Sequence, residues 1–280
     1  MMQFCLGGLF SASFIFYSRS GSLISSWPFL FLLFTYVIGN EILREKYIRL
    51  SFQIGVFFTA IFSYLIFFLP VIFGKMGDAI FVISGISSLI LIALFIYVLS
   101  WFAPSRVKAS ASYATAVIIG LFVIINGLYF TNLIPPIPLT LKHAGIYRTL
   151  DKLPDGTYRT VGDPQTWFNF FEQDPVIHND PGGSLFALSS ISAPASFETD
   201  IVHVWRRYDT DKALWTTAAT IDLNIAGGRE NGFRTYSIKD NITFGRWRVE
   251  VRTPRGQLIG RLEFTVVPFL GNEETVEEIK

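Results

Sequence analysis

The chain has a single cysteine, Cys5, in 280 residues, and only three histidines and three methionines. One cysteine excludes an intrachain disulfide framework and a Cys-based zinc site. His143, His178 and His203 are too scattered to suggest a metal centre, so neither a metal nor a cofactor is expected. A strong charge of either sign is also missing, since 23 Lys+Arg against 22 Asp+Glu leave a net +1. Nucleic-acid binding needs a large positive field, and no nucleic-acid partner is expected. The serines at 184, 189, 190 and 192 have no Gly-x-Ser-x-Gly elbow around them. No catalytic residue is assigned, and enzymatic function is not expected.

What the chain has is an abrupt change of solvent near residue 134. Five apolar runs precede it, at about Met2–Tyr17, Leu23–Asn40, Ser51–Phe73, Ala79–Phe102 and Tyr113–Phe130. A helix needs roughly 20 apolar residues to cross a bilayer, and the third and fourth runs meet that comfortably. The first is short; a signal peptide is its rival reading, but no basic segment precedes it and no small-x-small site follows. Charge lies between the runs: Arg44, Lys46 and Arg49 in one loop, Arg106 and Lys108 in another, against Arg19 and Lys75 in the remaining two. The positive-inside rule puts the two basic loops and the N-terminus in the cytoplasm, with the C-terminal half on the far side. No ionisable side chain lies deep in a run, which argues against a pump or an ion-coupled transporter. Gly7/Ser11, Gly8/Ala12 and Ser84/Ser88 around Gly85 are small-residue pairs suited to close helix packing, within one bundle or in a homo-oligomer. Residues 41–49 fit a short interfacial helix or a solvated turn.

Ile134-Pro-Pro-Ile-Pro-Leu139 leaves the last run as a stiff extended connector. Residues 134–183 read as a connector and mixed segment. They hold two strand-like pieces about the Asp155-Gly156 turn and an aromatic helical turn at Trp167–Glu172. Residues 184–270 carry a regular strand pattern: Leu185–Ser190, Thr199–Tyr208, Leu214–Ile225, Gly232–Ile238, Gly245–Thr253 and Leu258–Val267. In the fifth of these, Trp247, Val249 and Val251 share one face while Arg246, Arg248, Glu250 and Arg252 share the other. On the third, Thr217, Ala219, Ile221, Leu223 and Ile225 share a face. Residues 271–280 end in Glu273, Glu274, Glu277 and Glu278, an acidic tail read as a solvated end. The expected fold is a membrane α-helical bundle of residues 1–133 with about five spans, followed by an all-β, antiparallel, sandwich-like domain.

Spaced signals within that domain include His203-Val-Trp205, Trp215, Gly227-Gly-Arg-Glu-Asn-Gly-Phe-Arg-Thr-Tyr-Ser237, Gly245-Arg-Trp-Arg-Val249 and Gly256-Gln-Leu-Ile-Gly260 before Phe264. In these the chain resembles the bacterial family catalogued as domain of unknown function 2914, whose members carry several N-terminal spans and this domain at the end. The resemblance implies a multi-pass bacterial membrane protein. It implies no activity and no site residue.

Three constellations could carry function. The Gly227–Arg234 loop lets a ligand approach closely, and Arg229 and Arg234 would fork onto a carboxylate or phosphate beside Tyr236; a tight turn with surface arginines is the plainer alternative. Trp205, Trp215 and Trp247 could form an aromatic platform for a glycan with Arg206 or Arg248 beside it, or be core. Arg246, Arg248, Arg252 and Arg261 could meet anionic headgroups or an acidic partner, or form a solvated face balanced by Glu250 and Glu263. Trp247 is read as core because valines share its face. The expected role is a bacterial inner-membrane protein anchored in the lipid bilayer. It displays an extracytoplasmic module that binds an envelope glycan or protein through Trp205, Trp215, Arg229, Arg234 and Tyr236. The alternative is an integral-membrane enzyme or transporter with the β-domain as a lid.

Overall fold

A computed structural model describes residues 2–19, 23–42, 49–136, 138–164, 175–194, 199–225, 232–271 and 275–280. The chain divides into two compact units, Met1–Pro138 and Leu139–Lys280.

The first unit is helical: α1 (Met2–Arg19), α2 (Leu23–Ile42), α3 (Leu50–Phe73), α4 (Asp78–Phe102) and α5 (Pro104–Phe130). The five helices fall on the five apolar runs. Among the described residues, α3, α4 and α5 are long and apolar enough to cross a membrane. The fifth begins at Pro104 rather than Tyr113, because proline suits the first helical position and only Ala103 separates α4 from α5. Arg106 and Lys108 therefore lie in the opening turns of α5, not in a loop.

Helix α3 holds this unit together. Phe58 and Phe62 are fully buried, and Phe62 packs on Phe81 of α4 (5.8 Å between ring centres) and Phe122 of α5 (5.7 Å). At Gly55 a Cβ would lie 2.6 Å from Val117 Cγ1, so the missing side chain is what lets α3 and α5 approach. Ser84, Gly85 and Ser88 are buried, and a Cβ on Gly85 would meet Phe122 at 3.2 Å. This small-residue face thus serves packing within the bundle. Asn126 Nδ2 donates to the Phe122 carbonyl of its own helix at 2.7 Å. The outward surface is apolar, with Phe31, Ile86, Ile90, Ile119 and Val123 exposed; Trp101 stands exposed near the end of α4, and Tyr113 is exposed within α5. Most of the 41–49 segment lies outside the described residues.

The second unit is built from strands: β1 (Thr140–Tyr147), β2 (Thr149–Lys152), β3 (Tyr158–Gly162), β4 (Val176–Asn179), β5 (Leu185–Ser192), β6 (Thr199–Asp209), β7 (Leu214–Ile225), β8 (Phe233–Lys239), β9 (Gly245–Arg252), β10 (Leu258–Pro268) and β11 (Val276–Ile279). They form sheets of order β1-β5-β8, β4-β10-β9-β6-β7 and β11-β3-β2. The first two face each other across Ile146, Leu185 and Ala187 on one side and Trp205, Trp247, Val249 and Phe264 on the other. Among the described residues pairing is antiparallel except between β4 and β10, which run parallel. Strand β4 was not legible as a strand, being four residues that include His178 and Asn179. Trp167–Glu172 lies outside the described residues.

The acidic tail departs from its expected form. Residues Val276–Ile279 pair antiparallel with β3, and Glu277 lies 3.2 Å from Arg159. Backbone pairing with an open strand edge outweighs the solvation of this acidic segment, and the Glu277 and Glu278 side chains stay exposed.

Gly232 opens β8 at φ +83, and a Cβ there would lie 2.7 Å from the Ile191 carbonyl oxygen. That oxygen belongs to β5, which is paired on both sides by β1 and β8 and cannot yield. Gly232→Ala is expected to destabilise the chain by about 2 kcal/mol or more through the left-handed backbone and this clash. The check is the denaturant midpoint of the full chain in detergent, followed by tryptophan emission; an unchanged midpoint would contradict the geometry.

Candidate binding face

The outer face of the five-stranded sheet gathers the arginine stripe. Strand alternation puts Arg246, Arg248, Glu250 and Arg252 of β9 on that face, because Trp247, Val249 and Val251 turn into the core. In β10, Arg261 stands opposite Glu250 and Glu263 opposite Arg248. On the other side, Arg206 of β6 stands opposite Arg248.

Glu250 is the centre of this lattice, although it points away from the apolar core. Only 2% of it is exposed. Its Oε1 accepts from Arg248 at 2.8 Å, and its Oε2 lies 2.8 Å from Arg252 and 3.2 Å from Arg206. Three guanidiniums therefore cover one carboxylate and exclude water from it. Glu263 is more open and more distant from its partners, at 3.4 Å from Arg261 and 3.8 Å from Arg246. Burial lowers the Arg248 pKa, Glu250 opposes that effect, and the neighbouring Arg206 adds to it. Arg248 Nε is buried with no hydrogen-bond partner among the described residues.

An aromatic cluster closes one end of the lattice. Trp215 of β7 stands opposite Tyr208 of β6, with ring centres 5.2 Å apart and edge-on. Arg248 lies 4.5 Å from the Trp215 ring centre, and Arg246 lies 5.3 Å from the Tyr208 ring centre. Both distances are within cation–π range. Trp215 reaches this face because of a bulge. Trp205 pairs with Ala219 but Arg206 pairs with Thr217, so Ala218 is the extra residue. Simple alternation put Thr217 in phase with Ala219 and Ile221. The bulge shifts Thr217 and Trp215 to the outer face, while Ala219 and Ile221 stay packed on the core.

The residues singled out in sequence do not converge. Trp205 is fully buried and packs edge-on against Phe264, so it offers no stacking surface; its large apolar area is worth more in the core. Arg234 and Tyr236 lie on β8, in the opposite sheet, where Tyr236 packs against Tyr158 at 5.8 Å. Arg229 and the Gly227-Gly228 turn lie outside the described residues. Trp247 is core, as its neighbours indicated. Of the named residues that are described, only Trp215 joins the arginine stripe. Tyr208 was missed, although it alternates in phase with Val202, Val204 and Arg206 along β6.

Sequence reading also missed a polar cluster inside the sandwich. His203 is fully buried, with Nε2 2.9 Å from Ser189 Oγ and Nδ1 2.8 Å from Ser237 Oγ. Trp205 Nε1 donates to the same Ser237 Oγ at 3.0 Å. A Ser–His pair can activate a nucleophile. Here Ser189 and Ser237 are 1% and 2% exposed, and a substrate has no access. The cluster satisfies polar groups in the core and does no chemistry at a surface. Near the other end of the sheet, His178 Nδ1 lies 2.9 Å from Asp163, tying β4 to the end of β3. Among the described residues, no three His, Cys, Asp or Glu side chains group as a metal site.

Comparison with known proteins gives one family. Its model, described as "Protein of unknown function (DUF2914)", matches residues 198–266. No curated protein matches the chain. Among solved structures, an immunoglobulin-like protein from Pseudomonas aeruginosa is 10% identical with a TM-score of 0.25, covering 46% of this chain and 96% of that one. A β-glucosidase from Listeria innocua is 11% identical with a TM-score of 0.25 over 49% of this chain, which spans 18% of the enzyme's length. The alkylpurine DNA glycosylase AlkC from Pseudomonas fluorescens is 12% identical with a TM-score of 0.27, covering 85% of this chain and 76% of that one. At these TM-scores none of the three carries an argument about fold or activity. The stretch that the family model matches takes in β6, β7, β9 and all but the end of β10, the strands that carry the arginine face.

Proposed function

We propose that the chain is a bacterial inner-membrane protein that holds its β unit outside the cytoplasm as a binding module for an envelope component, a glycan or a protein. The bilayer is the solvent of the helical unit: α3, α4 and α5 have the length and composition to span it. The basic residues between α2 and α3, and those opening α5, favour a cytoplasmic N-terminus and an outward β unit. The observation that carries the binding reading is the Trp215–Tyr208–Arg246–Arg248 cluster. Two aromatic rings and two guanidiniums lie together on the outer face of the sheet, away from the apolar core.

The test uses the full chain, solubilised in detergent and immobilised. Purified peptidoglycan fragments and an exported-protein fraction are passed over it. Trp215→Ala and Arg246→Gln are expected to reduce retention of the bound fraction by about tenfold each, the loss typical of an interface anchor. Equal retention by wild type and both variants would remove this face from the account.

A further inference from the structure

We infer that the ligand of this face is an acidic protein surface, an inference that rests on the binding reading above and narrows it. The cationic centre of the face is made only of arginine. Arg206, Arg246, Arg248, Arg252 and Arg261 stand on it without a lysine among them. Against these five charges stand Glu250 and Glu263, which leaves three in excess. Asp200 and Asp222 lie at the far end of β6 and β7, where Asp200 accepts from Asn224 at 2.8 Å.

Arginine presents a rigid fork to a carboxylate, whereas lysine presents a mobile point charge. Tryptophan, tyrosine and arginine are the residues that anchor protein interfaces, and lysine is depleted there. The side chains are also pre-ordered. Glu250 fixes Arg206, Arg248 and Arg252, and the aromatic rings hold Arg246 and Arg248. Docking then loses little side-chain entropy.

The same contacts weigh against a sugar. A glycan stacks on an open aromatic face, but the Trp215 ring is already shared by Arg248 at 4.5 Å and Arg246 at 5.8 Å. A five-stranded sheet also offers a broad face rather than a cleft.

The experiment places the full chain in nanodiscs of phosphatidylcholine, which carries no net charge. Two labelled probes of equal charge are titrated at low salt. One is a blocked peptide of four Glu-Glu-Tyr repeats. The other is an oligogalacturonate of eight uronic acids. The expected result is that the peptide binds at least about tenfold more tightly than the glycan, that its binding weakens with salt, and that Arg246→Gln with Arg261→Gln weakens it about tenfold or more. These two arginines are the more exposed ones and sit outside the Glu250 centre, so the variant keeps the fold. Equal or tighter binding of the glycan at this face would overturn the inference and leave the binding reading standing. Binding of neither probe, or binding that the double variant leaves unchanged, would overturn both.

Discussion

Glu250→Ala is expected to cost the fold about 3 kcal/mol, far more than the loss of any other carboxylate on the same face. A buried ion pair adds little net stability when intact, because desolvation offsets attraction. Breaking it is different. Alanine at 250 would leave Arg206, Arg248 and Arg252 crowded together with their shared counter-charge gone, and Arg248 has almost no water of its own. Removing one member of such a set typically costs about 3–5 kcal/mol. The lower end applies because Arg206 and Arg252 keep 26% and 28% of their side chains exposed. Glu263→Ala is the control: its contacts are longer and wetter, and surface pairs of this kind contribute about 1 kcal/mol or less. Both variants are compared by denaturant unfolding of the full chain, with hydrogen exchange at β6 and β9 amides to place the effect. Losses equal within about 1 kcal/mol would show that Glu250 is not the hub of the lattice.

Acidification is expected to remove about as much stability through His203 alone. Burial lowers its pKa from the ordinary 6.5 to about 4. The two serines accommodate a neutral ring, since each hydroxyl can donate or accept. Above pH 6.5 the ring is neutral in both the folded and the unfolded chain, and the native state gains its full advantage. Between pH 6.5 and about 4 the unfolded chain takes up a proton that the folded chain refuses. Stability therefore falls as pH falls through that window, by about 3 kcal/mol in total for the difference between the two values. Other groups titrate over the same range, so the measurement is a difference. Unfolding free energies of wild type and His203→Asn are taken from pH 7 to pH 4. The wild-type curve should drop more steeply, with the gap closing as pH falls. Parallel curves would mean that His203 carries a proton inside the fold.

Much of this architecture was legible because it follows from solvent and period. The apolar runs gave five helices, with only the fifth starting well ahead of its expected place, since nothing but helix satisfies the backbone in such a stretch. Alternation in β9 fixed both faces of the central strand, including the inward Trp247. The failures have local physical causes. Strand β4 is four residues paired parallel to β10, with no alternation long enough to read. The C-terminal glutamates read as solvated, while β11 forms because an exposed edge of β3 is there to pair with it. At the candidate site the obstacle was the bulge at Ala218. No residue type at that position announces an insertion, yet it decides that Trp215 faces outward beside Arg248. Trp205 shows the reverse limit. It sits in the same strand as Arg206, and only the pairing of β6 with β9 reveals which of the two is core.

The sidedness of the β unit tests the central claim most directly. Spheroplasts of a bacterium expressing the full chain are treated with protease, intact and after lysis, and residues 139–280 are followed by an antibody to that unit. Digestion in intact spheroplasts is the expected result, and it would direct the ligand search to exported proteins. Protection until lysis would contradict the account, place the unit in the cytoplasm, and require a different reading of the helices that precede it.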